Sequence, residues 1–120
     1  MTNINNSKKI SKIISNLMLE KKAYDIKIIS VDKITTLTDI FIICTSDSDA
    51  QSRAITNHIQ DGLQKEDIKP VHIEGYQHLK WVLMDYVNVT VNIFQKEYRE
   101  FYNIERLWAD AKITTIKDDK

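Results

Sequence analysis

A chain of 120 residues with 42% apolar and 28% charged side chains suits one folded domain, and excludes both wholesale disorder and a two-core arrangement. Its 17 basic and 17 acidic residues cancel, so the strong positive field behind sequence-independent nucleic-acid binding is missing. The charge is uneven, however: residues 1–22 hold five lysines against Glu20, and residues 39–67 hold six acids against Arg53 and Lys65, an asymmetry able to orient a protein partner.

The first helix is expected over residues 7–22, where Ile10, Ile13, Ile14, Leu17 and Met18 recur at helical spacing behind Ser7 as N-cap. Its basic, amphipathic start lacks arginine and runs straight into this helix, so it reads as part of the fold rather than as a targeting segment. DIKIISV and DIFIICT are β-branched runs bounded by polar residues, as strands are. The four consecutive apolar residues of the second suit a central strand covered on both faces. Cys44 is alone and sits within that run, which fits a small buried hydrophobe in a reducing cytoplasmic setting. No apolar run approaches the roughly 18 residues of a membrane span.

Ser48 with Gln51 forms a capping-box pattern for a second helix reaching about Lys65, with Ala54, Ile55, Ile59 and Leu63 as its stripe. Beyond Pro70, Val71 and Ile73 read as a short strand that Gly75 turns. Residues 80–86 and 89–94 form a hairpin across Val87 and Asn88, of which Asn88 is the residue that tolerates positive φ. A last helix over 97–109 would put Phe101, Ile104 and Trp108 on one face and Tyr98, Tyr102 and Glu105 on its neighbour. Residues 112–120 read as a loose tail after a domain spanning 1–111. The order α-β-β-α-β-β-β-α implies an α/β fold, one mixed sheet flanked by helices.

Strand alternation sends Trp81, Leu83 and Asp85 to one face and Val82, Met84 and Tyr86 to the other. One face belongs to the core; the other offers anchors of the kind enriched in binding hot spots, although both could equally be packed. Arg99, Tyr102, Glu105 and Arg106 make a polar-aromatic helical surface that could fix a docking register or simply face solvent. Asp47-Ser48-Asp49 is the one Asp-x-Asp, the pattern a metal-dependent nucleotidyltransferase would need. No Gly-Ser accompanies it, however, and acids there commonly cap a helix. His58, His72, His78 and Cys44 lack metal-ligand spacing, so neither metal nor cofactor is expected.

Three segments, TDIFIICTSDSDAQSRAI (38–55), EGYQHLKWVLMDYVNVTVNIF (74–94) and EYREFYNIERLWADA (97–111), resemble the ribosomal silencing factor (Iojap-related) family in content, order and spacing. The resemblance implies a degenerate nucleotidyltransferase-like fold without catalysis. It also implies docking on large-subunit ribosomal protein fourteen, which would block subunit joining and repress translation under nutrient limitation. Glu74, Trp81, Val82, Leu83, Asp85, Tyr86, Arg99, Tyr102 and Glu105 are the expected protein-binding residues, and a homodimer is compatible. Alternatives are a nucleotidyltransferase-like enzyme or an adaptor for another protein. The chain departs from the family pattern at Ile40 (commonly aromatic), Val87-Asn88 (a nearby Gly) and Asn92 (His).

Overall fold

Helix α1 (Ile4–Glu20) leads into strands β1 (Tyr24–Ser30) and β2 (Ile40–Ser46), then helix α2 (Asp49–Gln64), in a computed structural model that describes residues 4–117. Strands β3 (His72–Glu74), β4 (Trp81–Asp85) and β5 (Val89–Gln95) follow, then helix α3 (Lys96–Tyr102), a 3-10 segment (Ile104–Trp108) and β6 (Lys112–Ile116). The six strands line up as β3-β4-β5-β2-β1-β6. Only β2 and β5 run parallel, and every other neighbouring pair is antiparallel. The expected mixed sheet is therefore present, with β2 at its centre and buried along its whole length.

α1 starts earlier than expected, and Ser7 is not its cap: the side chain is buried and donates to Asp39 Oδ2 at 2.9 Å. The helix stops at Lys22, which takes φ 68° while Ala23 N–H donates back to Met18 O and Lys22 N–H to Leu19 O. That is the Schellman pattern, with lysine in the position glycine usually fills. Ser48 caps α2 by accepting from Gln51 N–H at 3.0 Å. The Gln51 side chain reaches one residue further back than a standard capping box, accepting from Asp47 N–H and donating to the carbonyls of Lys21 and Lys22. It thereby ties the start of α2 to the end of α1. The buried stripe of α2 is Ser52, Ile55, Thr56, Ile59 and Leu63, and the expected Ala54 is exposed.

Both helices cover one face of the sheet. Ile14, Met18, Ile55, Ile59 and Leu63 pack on Ile26, Ile40, Ile42, Cys44, Met84, Val91 and Ile93. Each fully buried side chain of this size contributes about 1.5–3 kcal/mol, so the main stabilisation lies here. Burial pushes the Cys44 thiol up to about 12, as expected of a structural rather than reactive cysteine. The opposite face has a smaller cluster of Ile29, Val31, Phe41, Ile43 and Phe94, covered by Tyr98, Ile104 and Trp108.

Three expectations are corrected in the C-terminal third. The single helix over 97–109 breaks at Asn103, which adopts φ 44° and donates its N–H to Arg99 O. Asparagine tolerates this left-handed conformation. The break drops Ile104 and Trp108 onto the sheet and leaves Phe101 79% exposed instead of sharing their face. The expected tail is strand β6, whose β-branched KITTI run pairs antiparallel with β1 from Ser30↔Lys112 to Ile26↔Ile116. Residues 118–120 of that stretch lie outside the described residues. Finally, Val87 rather than Asn88 takes positive φ (70°) in the β4–β5 turn. Asn88 N–H donates to Tyr86 O there, and Val87 N–H donates to Asp85 Oδ1.

Candidate protein-docking face

The face opposite α1 and α2 is closed over β1 and β2 but open over β3 and β4. Register builds it in rows. Trp81 stands beside Phe94; Glu74, Leu83, Asn92 and Ile43 form the next row; His72, Asp85, Thr90 and Phe41 form the third. Period-2 alternation puts all of these on one side.

Aromatic packing fixes the upper edge. Trp81 stacks on Phe94 with centroids 4.7 Å apart, and Tyr102 tilts against Trp81 at 5.2 Å. The indole N–H donates to Asn92 Oδ1 at 2.9 Å, so the ring cannot swing freely. Trp108 rests near Phe41 at 5.9 Å. With Leu37 and Thr38 of the β1–β2 loop, it closes a shallow hollow of about 390 Å³ whose floor is Leu83 and whose far wall carries His72, Glu74 and Asp85. Leu37 is 83% exposed, an apolar side chain at the lip with nothing over it.

Gly75 makes this arrangement possible. It has φ +82°, and a Cβ there would lie 2.0 Å from the Trp81 carbonyl oxygen, so only glycine lets the end of β3 close so tightly on β4. Leu79 N–H and His78 N–H then donate to Gly75 O and complete the turn.

Glu74, Trp81, Leu83, Asp85 and Tyr102 are thus brought together on one surface. Val82 and Tyr86 are not, which corrects the expectation for them. They alternate to the helix-covered side, where Val82 is fully buried and Tyr86 8% exposed. The Tyr86 hydroxyl has no protein partner among the described residues, and burial pushes it up to about 12.

Arg99 and Glu105 occupy a different place and serve a different purpose. Arg99 is buried. Its Nε and Nη2 donate to the two Glu105 oxygens at 2.9 and 3.1 Å, and Nη1 donates to Thr45 Oγ1 and to the carbonyl of Asp25. Asp25 has φ 50° at the irregularity in the β1–β2 register, so the guanidinium satisfies a carbonyl that the ladder leaves out. Lys27 adds an ion pair to Glu105 at 3.2 Å. Hydrogen bonding from Arg99 holds the Glu105 carboxyl below its usual range, against the upward push of burial. This network staples α3 and the 3-10 segment, which deliver Tyr102 and Trp108, to the sheet.

Sequence reasoning missed His72, Leu37 and Thr90 as members of the face, and gave Trp108 only a place on one face of the last helix. For His72 the signal was available, because it stands two residues before Glu74 on one strand and so must share its side. Asp47 and Asp49 are each held by separate partners. Asp47 accepts from Tyr24 O–H at 2.6 Å, raising that phenol to about 12, and Asp49 accepts from Lys80 and Gln95, which holds its carboxyl low. Among the described residues no group of three or more His, Cys, Asp or Glu is placed to hold a metal ion, and no helix is long and apolar enough to cross a membrane.

A six-stranded mixed sheet with α1 and α2 on one face, and α3 and the 3-10 segment covering only part of the other, defines a small α/β protein with an aromatic-acidic patch left open. The chain belongs to the ribosomal silencing factor family: the family described as "Ribosomal silencing factor during starvation" matches residues 4–120. It is similar to the ribosomal silencing factor of Bacillus subtilis, with 36% identity over 111 residues, 92% of this chain and 94% of that protein. A crystal structure of a Chromobacterium violaceum protein superposes with a TM-score of 0.83 at 31% identity, covering 92% of each chain. One from Bacillus halodurans gives 0.78 at 30% identity, covering 92% of this chain and 99% of the other.

Proposed function

We propose that this protein represses translation without catalysis, by laying its open sheet face on large-subunit ribosomal protein fourteen and so blocking small-subunit joining when nutrients are limiting. The observation that carries this reading is the apolar surface formed by exposed Leu37 and Tyr102 with half-buried Trp81 and Leu83, beside the carboxylates of Glu74 and Asp85. A sheet face normally buries itself against another layer, and an exposed apolar patch with a polar rim marks a site where a partner does so. Family membership supports the ribosome as the bearer of that partner. The action is steric, on ribosomes of the cytoplasm, and needs about 800 Å² from each side.

Cosedimentation with isolated ribosomal subunits tests it. The chain should travel with large subunits and not with small ones, and should slow their joining. A chain that stays at the top of the gradient with large subunits present ends the ribosomal reading. Self-association through the same face is a competing use of it, which light scattering would detect as a dimer that large subunits dissociate.

A further inference from the structure

His72 stands on the docking face, between its two carboxylates. Its Nε2 is 3.0 Å from Glu74 Oε2 and its Nδ1 is 3.8 Å from Asp85 Oδ2. Asp85 Oδ1 is already committed to Val87 N–H, so Oδ2 is the oxygen left for anything above the face. The other residues that close this hollow, from the β1–β2 loop, β2, β4, β5 and the 3-10 segment, are Leu37, Thr38, Phe41, Leu83, Thr90 and Trp108, none of them charged. His72, Glu74 and Asp85 therefore make up the titratable set of the hollow among the described residues.

A neutral imidazole has one N–H and one bare acceptor nitrogen, so it can satisfy one carboxylate while presenting a lone pair to the other. An imidazolium has two N–H groups and can serve both. Carboxylates only accept hydrogen bonds, so what they offer a partner is a place for donor groups. Bridging by the imidazolium takes that place and lowers the negative charge of the face.

We propose that His72 sets the pH range over which the face docks: neutral, it engages at most one of Glu74 and Asp85 and leaves the other available to donor groups of the ribosomal partner, and protonated, it bridges both and opposes docking. The inference rests on the docking reading above and adds its regulation. Docking then favours the deprotonated ring, so binding releases a proton and affinity falls as the pH drops through the range, about 5 to 8, in which histidines change charge.

The test is equilibrium binding of the labelled full chain to isolated large subunits at about pH 8 and about pH 6 at one ionic strength. An exposed charge pair predicts about three- to fivefold weaker binding at the lower pH for the wild type. His72→Gln should bind at both values as the wild type does at the higher one, apart from whatever slope the subunits themselves contribute. His72→Arg should bind at the higher pH as weakly as the wild type does at the lower. A wild-type affinity that is flat or rises on acidification, or a His72→Gln slope equal to the wild-type slope, overturns the role of His72 while the docking reading stands. Absence of binding at both values overturns both.

Discussion

Trp81 and Asn92 are joined across the β4–β5 ladder by the indole N–H, which donates to a fully buried amide oxygen at 2.9 Å. Asn92 thereby helps hold the ring of the open face against Phe94. Its Nδ2 has no protein partner among the described residues, so the one bond to Trp81 is its visible purpose. Asn92→Ala removes the acceptor and leaves a gap under the ring. Denaturant unfolding should show a loss of about 1–3 kcal/mol, and Trp fluorescence should shift as the indole loosens.

Leu83, within β4, and Tyr86, just past its end, lie three residues apart with opposite fates. Leu83 is the floor of the open hollow, so Leu83→Arg should weaken binding to large subunits by more than about tenfold, with little change in melting temperature. Tyr86→Phe deletes a buried hydroxyl lacking a protein partner, and should leave binding unchanged while stability stays level or rises by up to about 1 kcal/mol. The reverse pair of results would put the docking face on the wrong side of the sheet.

Val87 holds φ 70°, a conformation disfavoured for a β-branched residue, and its side chain is 54% exposed. Left-handed strain of about 1–3 kcal/mol is partly offset by the entropy glycine would add to the unfolded chain. Val87→Gly should therefore raise stability by about 1 kcal/mol in thermal unfolding, and Val87→Ile should not.

The Arg99–Glu105 pair makes stability depend on acid. Glu105 has its folded pKa below the ordinary 4.5, so its contribution is present above that value and is lost as the pH falls through the lower, folded one. Glu105→Gln should flatten the acid limb of the stability–pH curve below about pH 4.5. Arg99→Met strands a half-shielded carboxylate and the Asp25 carbonyl, and should destabilise by about 3 kcal/mol in urea unfolding. Because the same pair seats α3 and the 3-10 segment, binding should suffer along with stability.

Much of the architecture was written in local pattern. Ser48 and Gln51 announced the start of α2, the run Ile40–Ile43 announced a central strand, and alternation along 81–86 divided that strand into two sets of side chains. Those features depend on neighbours a few residues away, and sequence spacing alone determines them. Which set stays open to solvent was decided only when α1 and α2 took the Val82–Tyr86 side, a choice made by packing between distant elements. The same holds for Arg99, whose helical position says surface but whose guanidinium is claimed by Asp25 and Thr45 from strands more than fifty residues away. It holds too for Lys112–Ile116, a strand only because the edge of β1 needs a partner. Backbone period sets which residues point together, whereas the free energy of covering one surface and leaving another open belongs to the assembled tertiary structure.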